Sequence, residues 1–296
     1  MATLYTQAEK NIQRTWILMG GFLIFTIFLA WLFNHLFNNP SFLIFGVGLA
    51  IFQSFFSYWY SDKIVLAMAR AKKIEKKDYP ELFRIVENLS LAAGLPTPQI
   101  YLIEEDQPNA FATGRDEKHA VVAVTRGLLE RLEKPELEGV IAHELSHIRN
   151  KDMLLQTIVV VLVGIVAILS DLFLRMSYWG GIRKREERDS LSAILAVFGL
   201  VAAILAPLAA TLIQLAISRK REFLADATGA LLTRYPEGLA RALEKISAYP
   251  RSMKIASNAT AHLFIVNPFR GSKIANLFST HPPIEERIKA LREMSL

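Results

Sequence analysis

"VIAHELSHIRNKDM", residues 140–153, sets two histidines four positions apart, with a glutamate between them and an apolar run just beyond. On a helix, positions i and i+4 share one face about a turn apart, so His143 and His147 turn both imidazoles toward one point. Two imidazoles at that spacing can hold one Zn2+ at about 2.0–2.1 Å each. Glu144 projects from the same turn at another angle, which suits a proton acceptor beside the metal better than a ligand. The pattern is short enough to arise by chance, and two satisfied surface histidines are its plain alternative. It does not stand alone. A catalytic zinc requires a third protein ligand and one open position. "REFLADATGA", residues 221–230, offers Glu222 and Asp226, again at i and i+4. Glu222 is the candidate third ligand, and Asp226 the candidate acceptor for a ligand imidazole N–H. An acidic pair at this spacing is by itself usually a solvated helix face. Beside the histidines, the metal reading prevails.

The apolar run after the motif is one of four. Trp16 to Phe33, Ser41 to Tyr60, Met153 to Ser170 and Ser190 to Ser218 are free of charge or nearly so. Each approaches or exceeds the roughly 20 helical residues a bilayer requires. Pro207 interrupts the last, and neighbouring helices can tolerate such a proline in lipid. The first run lacks a small-x-small cleavage pattern after it and reads as an anchor rather than a signal peptide. The histidines precede the third run and Glu222 follows the fourth, so an even number of crossings leaves all three on one side.

The chain has 296 residues, 52% of them hydrophobic, and a net charge of +6. Such composition is too apolar for an ordinary soluble domain of this length. Without cysteine there is no disulfide, thiolate nucleophile or thiolate ligand. The basic residues flank the apolar runs, which points to a lipid bilayer rather than nucleic acid, and no aromatic platform interleaves them. The connection "NHLFNNPS" has no Lys or Arg, whereas Lys63, Arg70, Lys72, Lys73, Lys76 and Lys77 follow the second run. The positive-inside rule puts the N-terminus and this basic segment in the cytoplasm. Between runs three and four, Arg183, Lys184, Arg185 and Arg188 would then lie outside, or the pair would form an incomplete hairpin.

In the polar stretches, "YPELFRIVENLSLAAGL" has helical spacing, while "PQIYLIEE", "PNAFATG" and "HAVVAVT" read as strands. Thr125 caps "RGLLERL", and Pro135 opens the histidine helix. "RKREFLADATGALLTRY", "PEGLARALEKIS" and "HPPIEERIKALREM" read as further helices. His35, His119 and His262 stand apart from any second metal pattern.

These motifs together resemble the HtpX-type membrane zinc endopeptidases, gluzincins related to the CAAX prenyl endopeptidases. The resemblance runs through "AHELSHIRNKDM", "REFLADATGA" and "STHPPIEERI" in the family's order, with membrane pairs before and between them. It implies that His143, His147 and Glu222 are the ligands of one Zn2+ per subunit, Glu144 the catalytic base, and Asp226 the residue that orients a ligand histidine. It implies further that His281 and Arg287 stabilise the oxyanion. Asn109 and Ala110 would belong to the edge strand along which a substrate peptide lies, although the residues alone read as an ordinary strand with a Gly turn.

The expected fold is an α+β integral membrane protein, with a mostly helical zincin-like protease domain, a small β-sheet and four transmembrane helices. Residues 1–60 would form an N-terminal hairpin, with spans at about 16–33 and 41–60. Residues 61–152 carry the first half of the protease domain. Residues 153–218 form a second hairpin, with spans at about 153–170 and 190–218, and 219–296 complete the domain. The expected activity is hydrolysis of misfolded or damaged membrane proteins, itself included, at the cytoplasmic face of a prokaryotic plasma membrane. A zinc-binding scaffold or chaperone adaptor without turnover is the alternative, and an intact Glu144 argues against it.

Overall fold

The computed structural model describes residues 4–180, 201, 219–257, 259–269 and 282–294. Helices α1 (Leu4–Phe37) and α2 (Ser41–Met68) form a hairpin closed by Asn38, whose φ of 46° is one that asparagine tolerates. The two helices approach closely where Gly46 faces Ala30, leaving no room for a Cβ on the glycine. Small residues permit such contact between apolar helices. Gln53 Nε2 donates to Thr26 Oγ1 across the same interface, at 2.9 Å. The outer faces expose Trp16, Ile24, Phe28 and Trp31 on α1 and Ile44, Phe45, Phe52, Phe55 and Trp59 on α2. Glu9–His35 and Ser41–Met68 are both long and apolar enough to cross a membrane.

A four-stranded mixed sheet follows, of β1 (Lys72–Lys73), β2 (Gln99–Ile103), β3 (Ala110–Thr113) and β4 (Val121–Thr125). Its order is β1-β2-β4-β3, with β2 and β4 parallel and the other pairs antiparallel, so β3 is an edge. Strand side chains alternate between the faces, and here both faces are apolar. Ile100, Leu102, Val122, Val124, Ala110 and Ala112 pack with α3 (Pro80–Ala93) and α5 (Lys134–Arg149). Ile103, Phe111, Val121 and Ala123 turn toward Val65 and Leu66 of α2 and toward α6 (Asp152–Gly180). The sheet is thus a wall between the helical core and the membrane-side helices.

Thr125 Oγ1 accepts from Leu128 N and caps α4 (Arg126–Arg131). Glu133 and Glu136 form a capping box at the start of α5, where Pro135 occupies the first turn. Helices α5 and α6 meet at 83°. The corner is Asn150 and Lys151, and Lys151 takes a left-handed φ of 55°. Helices α7 (Arg219–Thr233), α8 (Pro236–Ala248) and α9 (Ile284–Arg292) complete the helical side.

Two helices among the described residues are long and apolar enough to cross a membrane, or three if the bent pair of α5 and α6 is one crossing. The third apolar run is helical, but from Met153 to Val166 it is largely buried, packed against α1 and α2. The fourth, 190–218, lies outside the described residues apart from Val201. Two of the lysines assigned to a basic surface segment, Lys72 and Lys73, also form β1, paired with Leu102 and Tyr101.

Candidate metal centre

Helix α5 carries His143, Glu144 and His147, all buried. Helix α7 crosses it so closely that a Cβ on Gly229 would stand 3.0 Å from His143 N. That approach lays Glu222, two turns earlier on α7, against the imidazoles. His143 Nε2 and His147 Nε2 are 3.1 Å apart. Glu222 Oε1 lies 3.6 Å from His147 Nε2, and Oε2 lies 3.9 Å from His143 Nε2. In a tetrahedral Zn2+ site with bonds of about 2.0–2.1 Å, neighbouring ligand atoms are about 3.3 Å apart. The three donors therefore fit a small divalent cation, and they are the one such cluster among the described residues.

The outward nitrogens of both rings face carboxylates. His143 Nδ1 lies 2.9 Å from Asp226 Oδ1, and His147 Nδ1 lies 3.2 Å from Asp152 Oδ2. Carboxylates there favour the tautomer that leaves Nε2 free to bind a metal. Sequence reasoning singled out Asp226 and missed Asp152. Its one signal was an acidic residue five positions past His147, which reads equally well as the start of the next helix.

Asp226 is itself held. Arg287 Nε donates to Asp226 Oδ2 at 2.8 Å and Nη2 to Oδ1 at 2.7 Å, while Nη1 donates to Ile265 O at 2.9 Å. Nη1 is also 3.8 Å from Glu222 Oε2. Burial alone would raise the Asp226 carboxyl, but the Arg287 guanidinium and His143 bring it down to about 2. Arg287 is 0% exposed and closed within these contacts.

Burial raises Glu144 to about 7, against the opposing pull of His147 and a hydrogen bond from the Ala112 backbone. Its Oε1 finds no hydrogen-bond partner among the described residues although the side chain is buried. An acceptor held in this way, beside the three donors, suits a water or a reacting group.

Asn109 and Ala110 meet the chain's own residues 265–266. Asn109 Nδ2 donates to Val266 O at 2.9 Å, and its Oδ1 accepts from Val266 N at 3.3 Å. Ile265 N donates to Ala110 O at 3.0 Å, and Phe264 packs edge-on against Phe111. Residues 264–266 thus run beside β3 at its Ala110 end, while Ala112, further along the strand, faces Glu144. His281 lies outside the described residues.

A helical core with a small sheet, an apolar helical hairpin and a buried His-His-Glu donor set is the arrangement of a membrane-associated protein with a candidate metal centre. The profile of peptidase family M48 matches residues 76–295, and the chain belongs to that family. Among its relatives, the protease HtpX homolog of Caldanaerobacter subterraneus subsp. tengcongensis is 46% identical over 99% of both chains. That of Pyrococcus furiosus is 48% identical over 95% of this chain and 96% of its own. The crystal structure of S. mikatae Ste24p superposes with a TM-score of 0.50 at 18% identity, over 98% of this chain and 67% of that one, a likeness of fold.

Proposed function

We propose that the protein is an integral membrane zinc endopeptidase that hydrolyses misfolded or damaged membrane proteins, and copies of itself, at the cytoplasmic face of a prokaryotic plasma membrane. The observation that carries this reading is the buried His143–His147–Glu222 donor set with an unpartnered Glu144 oxygen beside it. One Zn2+ per subunit, held by those three side chains, would supply Lewis-acid charge stabilisation and lower the pKa of a water toward about 7.

The chain's own residues do the rest. Glu144 accepts the proton of the attacking water and returns it to the leaving amine. The Ala112 backbone beside Glu144 favours the charged form of its carboxyl. Asp226 and Asp152 fix the two imidazoles, and Arg287 fixes Asp226. The resemblance assigns oxyanion stabilisation to His281 and Arg287, and the closed Arg287–Asp226 pair supports positioning as the larger part of what Arg287 does. An extended peptide would lie beside β3. Asn109 and Ala110 would shape that groove by holding residues 264–266 in place. The two halves of the domain, 61–152 and 219–296, would enclose a second membrane hairpin, which gives four spans.

The test is purification in detergent with a chelator, followed by zinc add-back, with unfolded casein as substrate and Glu144→Gln alongside. Zinc-dependent cleavage that requires Glu144 supports the proposal. Equal zinc binding by both forms with no cleavage by either would replace it with the scaffold reading.

A further inference from the structure

The buried side chain of Asn11, on α1, lies outside the machinery described above. It is 1% exposed. Its Nδ2 donates to Asp152 Oδ1 at 2.6 Å and to Asn150 O at 3.1 Å. Its Oδ1 accepts from Arg221 Nη1 at 3.0 Å. The amide orientation is fixed by its partners, because a guanidinium only donates and a carbonyl or carboxylate only accepts.

Both ends of this carboxamide reach the candidate metal site. The other oxygen of Asp152 faces His147 Nδ1. Arg221 immediately precedes Glu222, and its Nε lies 3.8 Å from Asp152 Oδ1. One side chain from α1 therefore stands between the carboxylate that aims His147 and the turn of α7 that carries Glu222. A buried guanidinium and carboxylate attract strongly. Without Asn11 bonded to both, the Arg221–Asp152 ion pair, now 3.8 Å at Nε, would tighten and draw Asp152 from His147.

We propose that Asn11 is a positioning residue for the metal centre, so that the first helix sets the placement of His147 relative to Glu222 as well as crossing the membrane. The inference rests on reading His143, His147 and Glu222 as a metal site. Partners one step removed from a metal are typically worth about 10–100-fold in affinity, and Asn11 acts one step beyond Asp152.

The test uses the full chain in detergent micelles. Zn2+ affinity is measured by chelator competition and the Co2+ complex by its visible absorption, with folding of the metal-free protein followed by circular dichroism. Asn11→Leu keeps the volume and removes both hydrogen-bonding ends. Asn11→Ser covers the case in which the leucine variant does not fold. Gln53→Leu is the control, since it removes a different buried carboxamide at the interface of α1 and α2. The expected result is a loss of Zn2+ affinity of about tenfold or more and a changed Co2+ spectrum for the Asn11 variants, with wild-type values for Gln53→Leu. Unchanged affinity and spectrum in the Asn11 variants, or an equal loss in Gln53→Leu, would overturn the inference and leave the metal site standing. If wild type binds no metal more tightly than His143→Ala, the metal-site reading fails and takes the inference with it.

Discussion

Arg287 meets Asp226 fork to fork, with two hydrogen bonds of 2.7 and 2.8 Å and both side chains out of water. The pair joins α9 to α7 directly behind His143. Such a bidentate contact depends on the planar guanidinium, which lysine cannot reproduce. Arg287→Leu leaves a buried carboxylate uncompensated and should cost about 3–5 kcal/mol. Arg287→Lys should recover only part of that. Denaturant titration of the metal-free proteins checks both, and a leucine variant as stable as wild type would refute the assignment.

Acid should attack the same pair. The Asp226 carboxyl falls from its ordinary 3.8 to about 2 in the fold. A depressed carboxyl stabilises the fold fully above its unfolded pKa, and that contribution disappears as pH falls through the folded value. Between pH 5 and pH 2 the chelated protein should lose about 2 kcal/mol from this source. Asp226→Asn, less stable at neutral pH, should show a correspondingly shallower acid dependence in urea melts.

Glu144→Gln should lower kcat by about 10²–10⁴-fold while Zn2+ affinity stays within a few-fold of wild type. Burial holds the metal-free carboxyl near 7, and a cation beside it favours the charged form. The acid limb of kcat/KM in the loaded enzyme should therefore fall below pH 7, with activity declining as Glu144 takes up its proton. An acid limb above pH 7 would assign the limb to another group.

The hairpin of α1 and α2 is tightest at Gly46, where a methyl would overlap Ala30. Gly46→Leu should force the helices apart and cost about 1–3 kcal/mol. Gly48→Leu, two residues along with open space before it, should be tolerated. Thermal melts in detergent compare them.

The histidine pair was legible because its geometry is local, fixed by one helical turn. Glu222 was legible by the same spacing on a second helix, although only the crossing at Gly229 brings it to the imidazoles. Asp152 and Asn11 were not legible. The 83° corner after α5 decides where Asp152 points, and Asn11 finds it across most of the first half of the chain. Apolar composition marked α6 without showing that its first half packs on α1 and α2, since lipid and protein neighbours select the same residues. The strand β1 gave no signal, because two exposed lysines carry no alternation. Asn109 looked like part of an open edge, and only the tertiary fold lays Val266 against it.

The donor set is scattered along the chain in a way that sets a schedule. His143 and His147 leave the ribosome well before Glu222, and Arg287 comes later still. At about 5–20 residues per second, the stretch between His147 and Arg287 takes on the order of ten seconds to synthesise. During that interval the nascent chain holds two imidazoles without their third donor or the clamp on Asp226. On the proposed reading, the metal site would stay incomplete until Glu222 has been synthesised.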